Sequence, residues 1–418
     1  MEKFFRFMNG SPTAFHTIAN IAEELDEDCF TRFSEKESWQ LFSARKGYVV
    51  RNDSALIAFA MPLKQPKGFK IFSAHSDSPC FRIKENPQMP FEGKYVRLNC
   101  EKYGGMILSS WLDRPLSIAG RVIVNNEGEL ETKLVNVDKD VAIIPNVAIH
   151  MNSDINKGYE YKAQNDMLPL LCECGNDNAF DEMIANEVGC KTEEILGSDL
   201  FLYPRQKAGF VGMNDEFVIS PRLDDLACAY SGMRGIIDAE GGDYIKVLAV
   251  FDNEEVGSST KQGADSTFLE DTLYRIAESL SFSRTDYLKL LADSFMVSAD
   301  NAHAAHPAMA SKADPVNKPY MNGGVVIKFN GNQRYATDAY SAAYLRKLCN
   351  ENDIATQNYA NNSDIPGGST LGNISTAHVS VPTVDIGLAQ LAMHSAVETM
   401  GARDLSQMVK LCTKFFEA

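Results

Sequence analysis

Five stretches of this sequence end a short apolar run in a side chain able to hold a metal ion. Phe69-Lys-Ile-Phe-Ser-Ala runs into His75-Ser-Asp77, and Phe217-Val-Ile-Ser-Pro-Arg-Leu into Asp224-Asp225. Ile245-Lys-Val-Leu-Ala-Val-Phe runs into Asp252-Asn-Glu254-Glu255, Phe295-Met-Val-Ser leads to Asp300, and Val381-Pro-Thr-Val-Asp385 leads to His394. Two imidazoles and three carboxylates, with one more Glu beside them, are the donor set of a pair of zinc-type cations, and such pairs catalyse hydrolysis. The candidate ligands are His75, Asp224, Glu255, Asp300 and His394; Glu254 and Asp77 are the candidate catalytic carboxylates. Two dications would balance Asp224, Glu254, Glu255 and Asp300. Without them, four buried carboxylates in one place are too costly to keep ionised.

Each motif alone also has a bland reading. His75 and Asp77 lie two residues apart, so on an extended segment they point the same way. Asp77 can then accept the second ring N–H of His75 and fix its tautomer; a strand end with a capping Asp fits as well. Asp224-Asp225 suits a turn or helix cap, although one carboxylate there can also bridge two cations. Glu254 and Glu255 repel each other. On an extended segment they diverge, so one can ligate while the other faces substrate; a solvated acidic loop is the alternative. His303 and His306, just after Asp300, read as ligands, as donors to ligands, or as surface residues. His394 sits in an apolar run, where a lone His is commonly a core residue. The Asp364-Ile-Pro-Gly-Gly stretch lacks the Gly-Lys-Ser/Thr of a phosphate loop and reads as a tight loop beside substrate or as a structural turn. Spacing does not place His150.

These side chains need a scaffold, and the pattern supplies one. Open α/β sheets bind ligands at the carboxyl ends of their strands. Residues 48 to 60 and 69 to 74 read as strands. From 217 onward strands alternate with helical periods, at 264 to 281 and 338 to 351, with an amphipathic helix from Asp404. Residues 11 to 26 read as a helix with Ser11 as N-cap and Pro12 in the first position. Between 92 and 216 the pattern turns to β-type runs at Tyr95, Leu116, Arg121 and Thr132, with a helical piece around 180 to 196. The expectation is an α/β domain of residues 1–91 and 217–418, its mainly parallel sheet sandwiched by helices, interrupted by a β-rich insert of residues 92–216.

Bulk properties narrow the function. The 418 residues exceed one ordinary core, so two domains are expected. With 56 acidic against 40 basic side chains the chain carries −16, and no basic cluster offers a nucleic-acid footprint. No apolar run reaches the length of a membrane span, and Met1-Glu-Lys-Phe-Phe-Arg-Phe-Met lacks the core of a signal peptide. A cytoplasmic protein is expected. The nine scattered cysteines read as reduced thiols, and Cys172-Glu-Cys174 lacks the second pair of a structural zinc site.

Taken in order, the motifs resemble the M18 metallopeptidases, the aspartyl aminopeptidase family. The resemblance rests on Ser11-Pro-Thr-Ala-Phe-His16, His75-Ser-Asp-Ser-Pro79, Trp111-Leu-Asp-Arg-Pro-Leu-Ser-Ile-Ala-Gly-Arg-Val, Ser220-Pro-Arg-Leu-Asp-Asp225 and Asp252-Asn-Glu-Glu-Val-Gly-Ser258. It continues through Ser298-Ala-Asp-Asn-Ala-His-Ala-Ala-His-Pro307, Asn332-Gln-Arg-Tyr-Ala-Thr337 and Gln390-Leu-Ala-Met-His-Ser395. It implies a cytosolic dinuclear aminopeptidase acting on peptides with a free N-terminus, with a preference for Asp or Glu. It further implies that the insert is a dimerisation domain and that dimers build a tetrahedral dodecamer. One cation is assigned to His75, Asp224 and Asp300, the other to Asp224, Glu255 and His394, with Glu254 as base and a cis Asp224–Asp225 peptide. His150 is implied to reach a neighbouring subunit's site, Lys328 to lie near the substrate's first side chain, and His303 to lie near the groups behind the ligands. The family's Asp-x-Pro-Cys-Gly loop stands here as Asp364-Ile-Pro-Gly-Gly, which loosens the implied preference for acidic residues. Zinc is the expected metal, with cobalt and manganese also suited to N/O ligands. The alternatives are an aminopeptidase for neutral residues, a carboxypeptidase or deacylase on a similar core, and a non-catalytic assembly protein.

Overall fold

The computed structural model describes residues 1–41, 44–176, 178–365 and 367–418. Pro366 of the glycine-rich loop therefore lies outside the described residues. The central sheet has nine strands in the order Thr31–Phe33, Lys46–Arg51, Ala55–Ala60, Ile245–Phe251, Phe69–His75, Phe295–Ala299, Thr383–Gly387, Val325–Phe329 and Thr356–Ala360. The four strands from Ile245–Phe251 to Thr383–Gly387 are adjacent and mutually parallel. Ala55–Ala60 and Val325–Phe329 flank them antiparallel, so the sheet is mixed with its parallel strands in the middle.

These four strands are mostly apolar and buried along their whole length because both faces are covered. Alternate residues feed two separate cores. Phe72, Ala74, Leu248 and Val250 pack with the helices Glu2–Gly10, Ala14–Glu27, Leu223–Asp238 and Asp404–Glu417. Phe69, Ile71, Val247 and Ala249 pack with Phe268–Ser279 and Arg284–Ala292.

A second sheet of six strands runs in the order Glu129–Asn136, Leu116–Asn126, Ile195–Pro204, Cys80–Phe91, Tyr95–Tyr103 and Leu170–Glu173, with its own core around Trp111, Ile118 and Leu202. Every pair in it is antiparallel. It opens at Cys80, ahead of the expected span of 92–216, and its last strand in sequence ends at Pro204. The polar Lys84-Glu-Asn-Pro-Gln88 stretch hid the first strand, and the register shifts there, between Ile83 and Gln88. Gly209–Val211 and Phe217–Ser220 instead join a third sheet with Glu398–Gly401, Ala389–Leu391 and Ala302–His303.

The second helix starts at Ala14, with extended Thr13 as its N-cap residue. Ser11 sits in the bend before it and accepts a hydrogen bond from Asn20. His16, buried in the first turn, pairs Nδ1 with Thr13 Oγ1 at 2.9 Å. Burial, with Arg222 nearby, pushes its pKa from 6.5 down to about 4. The folded state thus prefers the neutral ring. That stability is full above 6.5 and is lost as pH falls toward 4, by up to about 3 kcal/mol. We expect the urea midpoint to fall less between pH 7 and 4.5 in His16→Asn than in the parent. Identical pH slopes would remove His16 from the account.

Candidate metal centre

Strand register brings the ligand-bearing segments together. His75 closes its strand directly opposite Phe251, and the latter chain continues into Glu254-Glu255. On the other side Ser298 is level with Ser73, so Asp300 emerges beside His75. Adjacent strands are only about 4.8 Å apart, so three ends share one spot. The Thr383–Gly387 strand leads through Ala389–Leu391 to His394, in a turn with positive φ. Asp224 comes from the first turn of Leu223–Asp238 instead of a central strand end. Arg222 there is left-handed, Asp224 and Asp225 are non-helical, and the bond between them is cis.

Two triads result. His75, Asp224 and Asp300 each offer a donor atom, all within 4.8 Å of one another, and so do Asp224, Glu255 and His394. Asp224 belongs to both. Its Oδ1 lies 3.7 Å from His75 Nε2 and its Oδ2 lies 3.3 Å from His394 Nε2, which is also 3.3 Å from Glu255 Oε2. Glu254 joins the cluster through a third group with His75 and Glu255. Both glutamates sit in the 3-10 turn Glu254–Val256, so the turn, and not an extended segment, separates their side chains.

Electrostatics favours cations here. Burial with neighbouring carboxylates pushes Glu254 up to about 9, and burial lifts Glu255 to about 7 and Asp300 to about 6. Burial works against the charge of Asp224 too, yet His394 and His75 hold its pKa below the usual value. Asp224 Oδ1 and Glu255 Oε1 are buried without a hydrogen-bond partner in the protein. Buried carboxylate oxygens left unpaired are costly, and divalent cations invert this local pKa logic. The donor set and its orphaned oxygens therefore fit two N/O-bound divalent ions.

A ring of acceptors holds the ligands from behind. Asp77 accepts from the amides of Glu254 and Glu255 at 3.1 and 3.2 Å and from the Tyr103 hydroxyl at 2.6 Å. His75 Nδ1 meets the main-chain oxygen of Asp77 at 3.1 Å and its carboxylate at 3.3 Å. Glu398, buried, accepts from the amides of Asp224 at 2.9 Å and His394 at 2.7 Å. Sequence reading missed Glu398; the signal was a lone acid in the apolar run Ala396-Val-Glu-Thr-Met400. Asn301, also missed, donates to Leu223 O and Gln390 Oε1.

Residues 7–416 match the family model described as Aminopeptidase I zinc metalloprotease (M18). The chain belongs to the M18 family. A Clostridium acetobutylicum protein named probable M18 family aminopeptidase 2 is 44% identical over 423 residues, covering 99% of this chain and 98% of its own. A Pseudomonas aeruginosa protein of the same name is 41% identical, over 98% and 96% respectively. Among solved structures, a chain of the Ape4 and Nbr1 complex superposes with a TM-score of 0.95 at 34% identity, covering 100% of this chain and 85% of that one. The S. cerevisiae mApe1 dodecamer gives 0.88 at 27% identity, over 100% and 96%. This protein is an M18 aminopeptidase, a metallohydrolase that acts on peptides.

Three further residues singled out in the sequence fall at different distances from the centre of this M18 aminopeptidase. Lys328 lies against it, buried, with Nζ 3.5 Å from Asp300 Oδ2 and 5.3 Å from the Tyr335 ring centroid. Burial opposes its charge, but Asp300 and its neighbours hold its pKa above the usual lysine value. His303 is exposed, its ring edge-on to Tyr359 with centroids 6.2 Å apart. His150 stands apart: it is exposed in a turn of the insert and in none of the metal-competent groups. Gly367 occupies the position of the family's cysteine. A Cβ there would meet the Asn361 side chain at 2.5 Å, so Asn361 takes up the room a larger residue needs.

Proposed function

We propose that this M18 aminopeptidase removes single N-terminal residues from peptides at a dinuclear centre. His75, Asp224 and Asp300 would hold one divalent cation, and Asp224, Glu255 and His394 the other, zinc in both. The observation that carries this reading is the pair of triads meeting at Asp224, with Glu254 beside them. When bound, the cations supply Lewis acidity that polarises the scissile carbonyl and acidifies water. Glu254 takes a proton from the attacking water and passes it to the leaving amine. Asp77 keeps Glu254 and Glu255 in place through their amides, and Tyr103 pins Asp77. The acidic floor of the site favours a free, cationic amine over a blocked one.

Acidic first residues are the proposed preference, with Lys328 as the attracting cation and His303 at the rim. The insert is proposed as the dimerisation domain and the assembly as a tetrahedral dodecamer in the cytoplasm. Supporting this, Val147, Ile149 and Met151 are exposed around His150, an apolar stretch suited to another subunit. Among the described residues no helix is long and apolar enough to cross a membrane.

A panel of aminoacyl substrates with defined metals tests the proposal. Aspartyl and glutamyl substrates should exceed neutral ones by at least about tenfold in kcat/KM, and N-acetylated ones should be inert. A faster neutral series would remove the acidic preference. Cleavage of only the acetylated series would replace the aminopeptidase reading with a deacylase.

A further inference from the structure

Behind the metal cluster, one carboxylate serves two ligands. Glu398 opens the strand Glu398–Gly401, where it pairs with Ser220, just ahead of Asp224 in the chain. The strand on its other side is Ala389–Leu391, and the turn between these two carries His394. Register therefore sets the buried Glu398 side chain between the head of the Leu223–Asp238 helix and the His394 turn. Its Oε2 accepts from the Asp224 amide at 2.9 Å and its Oε1 from the His394 amide at 2.7 Å.

Both oxygens must accept, because the groups around them fix the polarity. The Leu388 amide donates to Asn301 Oδ1 at 3.2 Å, which turns the Asn301 NH2 toward Leu223 O and Gln390 Oε1, at 2.8 and 2.9 Å. The Gln390 NH2 is thereby turned toward Glu398 Oε1, at 3.4 Å. A carboxylate accepts with both oxygens, whereas a carboxamide there sets one N–H against another. The first triad has anchors of its own. The amide of His75 donates to Asp225 Oδ2 at 3.2 Å, and that of Asp300 to Ile386 O at 3.0 Å. Glu398 thus supports two of the three ligands in the Asp224, Glu255 and His394 triad, but only one in the other.

We propose that Glu398 is a positioning residue for the cation held by Asp224, Glu255 and His394: it sets that ion's affinity, while the ion on His75, Asp224 and Asp300 keeps most of its own. The proposal rests on the two-cation reading of this centre. Without their shared acceptor the Asp224 and His394 main chains lose a common anchor, and groups that orient ligands in this way are worth about 10- to 100-fold in metal affinity.

Chelator competition on the zinc-loaded protein tests this. In Glu398→Gln one ion should weaken at least about tenfold and the other by less than about threefold. Pairing the change with a ligand variant identifies the ion. Added to Asp300→Asn, Glu398→Gln should weaken the remaining ion at least about tenfold. Added to His394→Ala, it should alter the remaining ion by less than about threefold. Glu398→Asp keeps the charge that acts on Arg222 but shortens the reach. It should act in the same direction, and it carries the test if Glu398→Gln does not fold. A merely structural fault weakens both ions alike. That result, or full retention of both, overturns the proposal while the dinuclear reading stands. A parent protein that holds a single ion overturns both.

Discussion

Glu254→Gln should leave the metal content unchanged and lower kcat by about a thousandfold or more. The residue sits in the cluster with His75 and Glu255, but it belongs to neither triad that contains Asp224. Its main-chain amide, not its side chain, is what Asp77 holds. The Gln side chain has the same shape and keeps the turn, yet it cannot accept a proton. In the protein alone, burial together with the neighbouring carboxylates raises the Glu254 pKa to about 9. Cations alongside pull that value back toward neutrality, which is where a general base works best. Turnover on an aspartyl substrate, together with elemental analysis of the purified variant, measures both halves. A variant with full metal and near-parental kcat would end the base assignment.

Asp224→Asn should be more damaging to metal binding than any other single ligand change. Its two oxygens face two different imidazoles, His75 on one side and His394 on the other. Losing the shared carboxylate removes a ligand from both triads and one negative charge from the space between two dications. Outer-sphere changes alone cost 10- to 100-fold in metal affinity, so we expect about a hundredfold or greater loss for both ions. Asp300→Asn touches one triad only and should spare the other ion. Competition with a chelator while metal content is followed separates the two variants. Equal retention of both ions in Asp224→Asn would mean that the triads do not share it.

Much of this centre was legible because metal ligation needs particular side chains at particular points of a strand. His75, Glu255 and Asp300 could be read that way, since each follows an apolar run that has to be a strand. Asp224 was read as following a strand of the same sheet, but Phe217–Ser220 belongs to a separate sheet, and the head of a helix presents the carboxylate. Glu398 escaped because nothing local marks an acid that serves main-chain amides from two remote segments. The Cys80–Phe91 strand escaped for a similar reason, since it is polar in its middle and becomes a strand through Tyr95–Tyr103 and Ile195–Pro204.

Residue types and their periodicity were enough to point to the acidic and histidine side chains that gather here, to the alternation of strands and helices, and to a β-rich stretch in the middle of the chain, because these depend on each segment's own chemistry. Which oxygens are shared, which are left without a partner, and which carboxylates stand behind the ligands emerged only on folding. Those properties depend on the register between strands far apart in the chain and on the cost of burying an unpaired charge, and no single segment carries either.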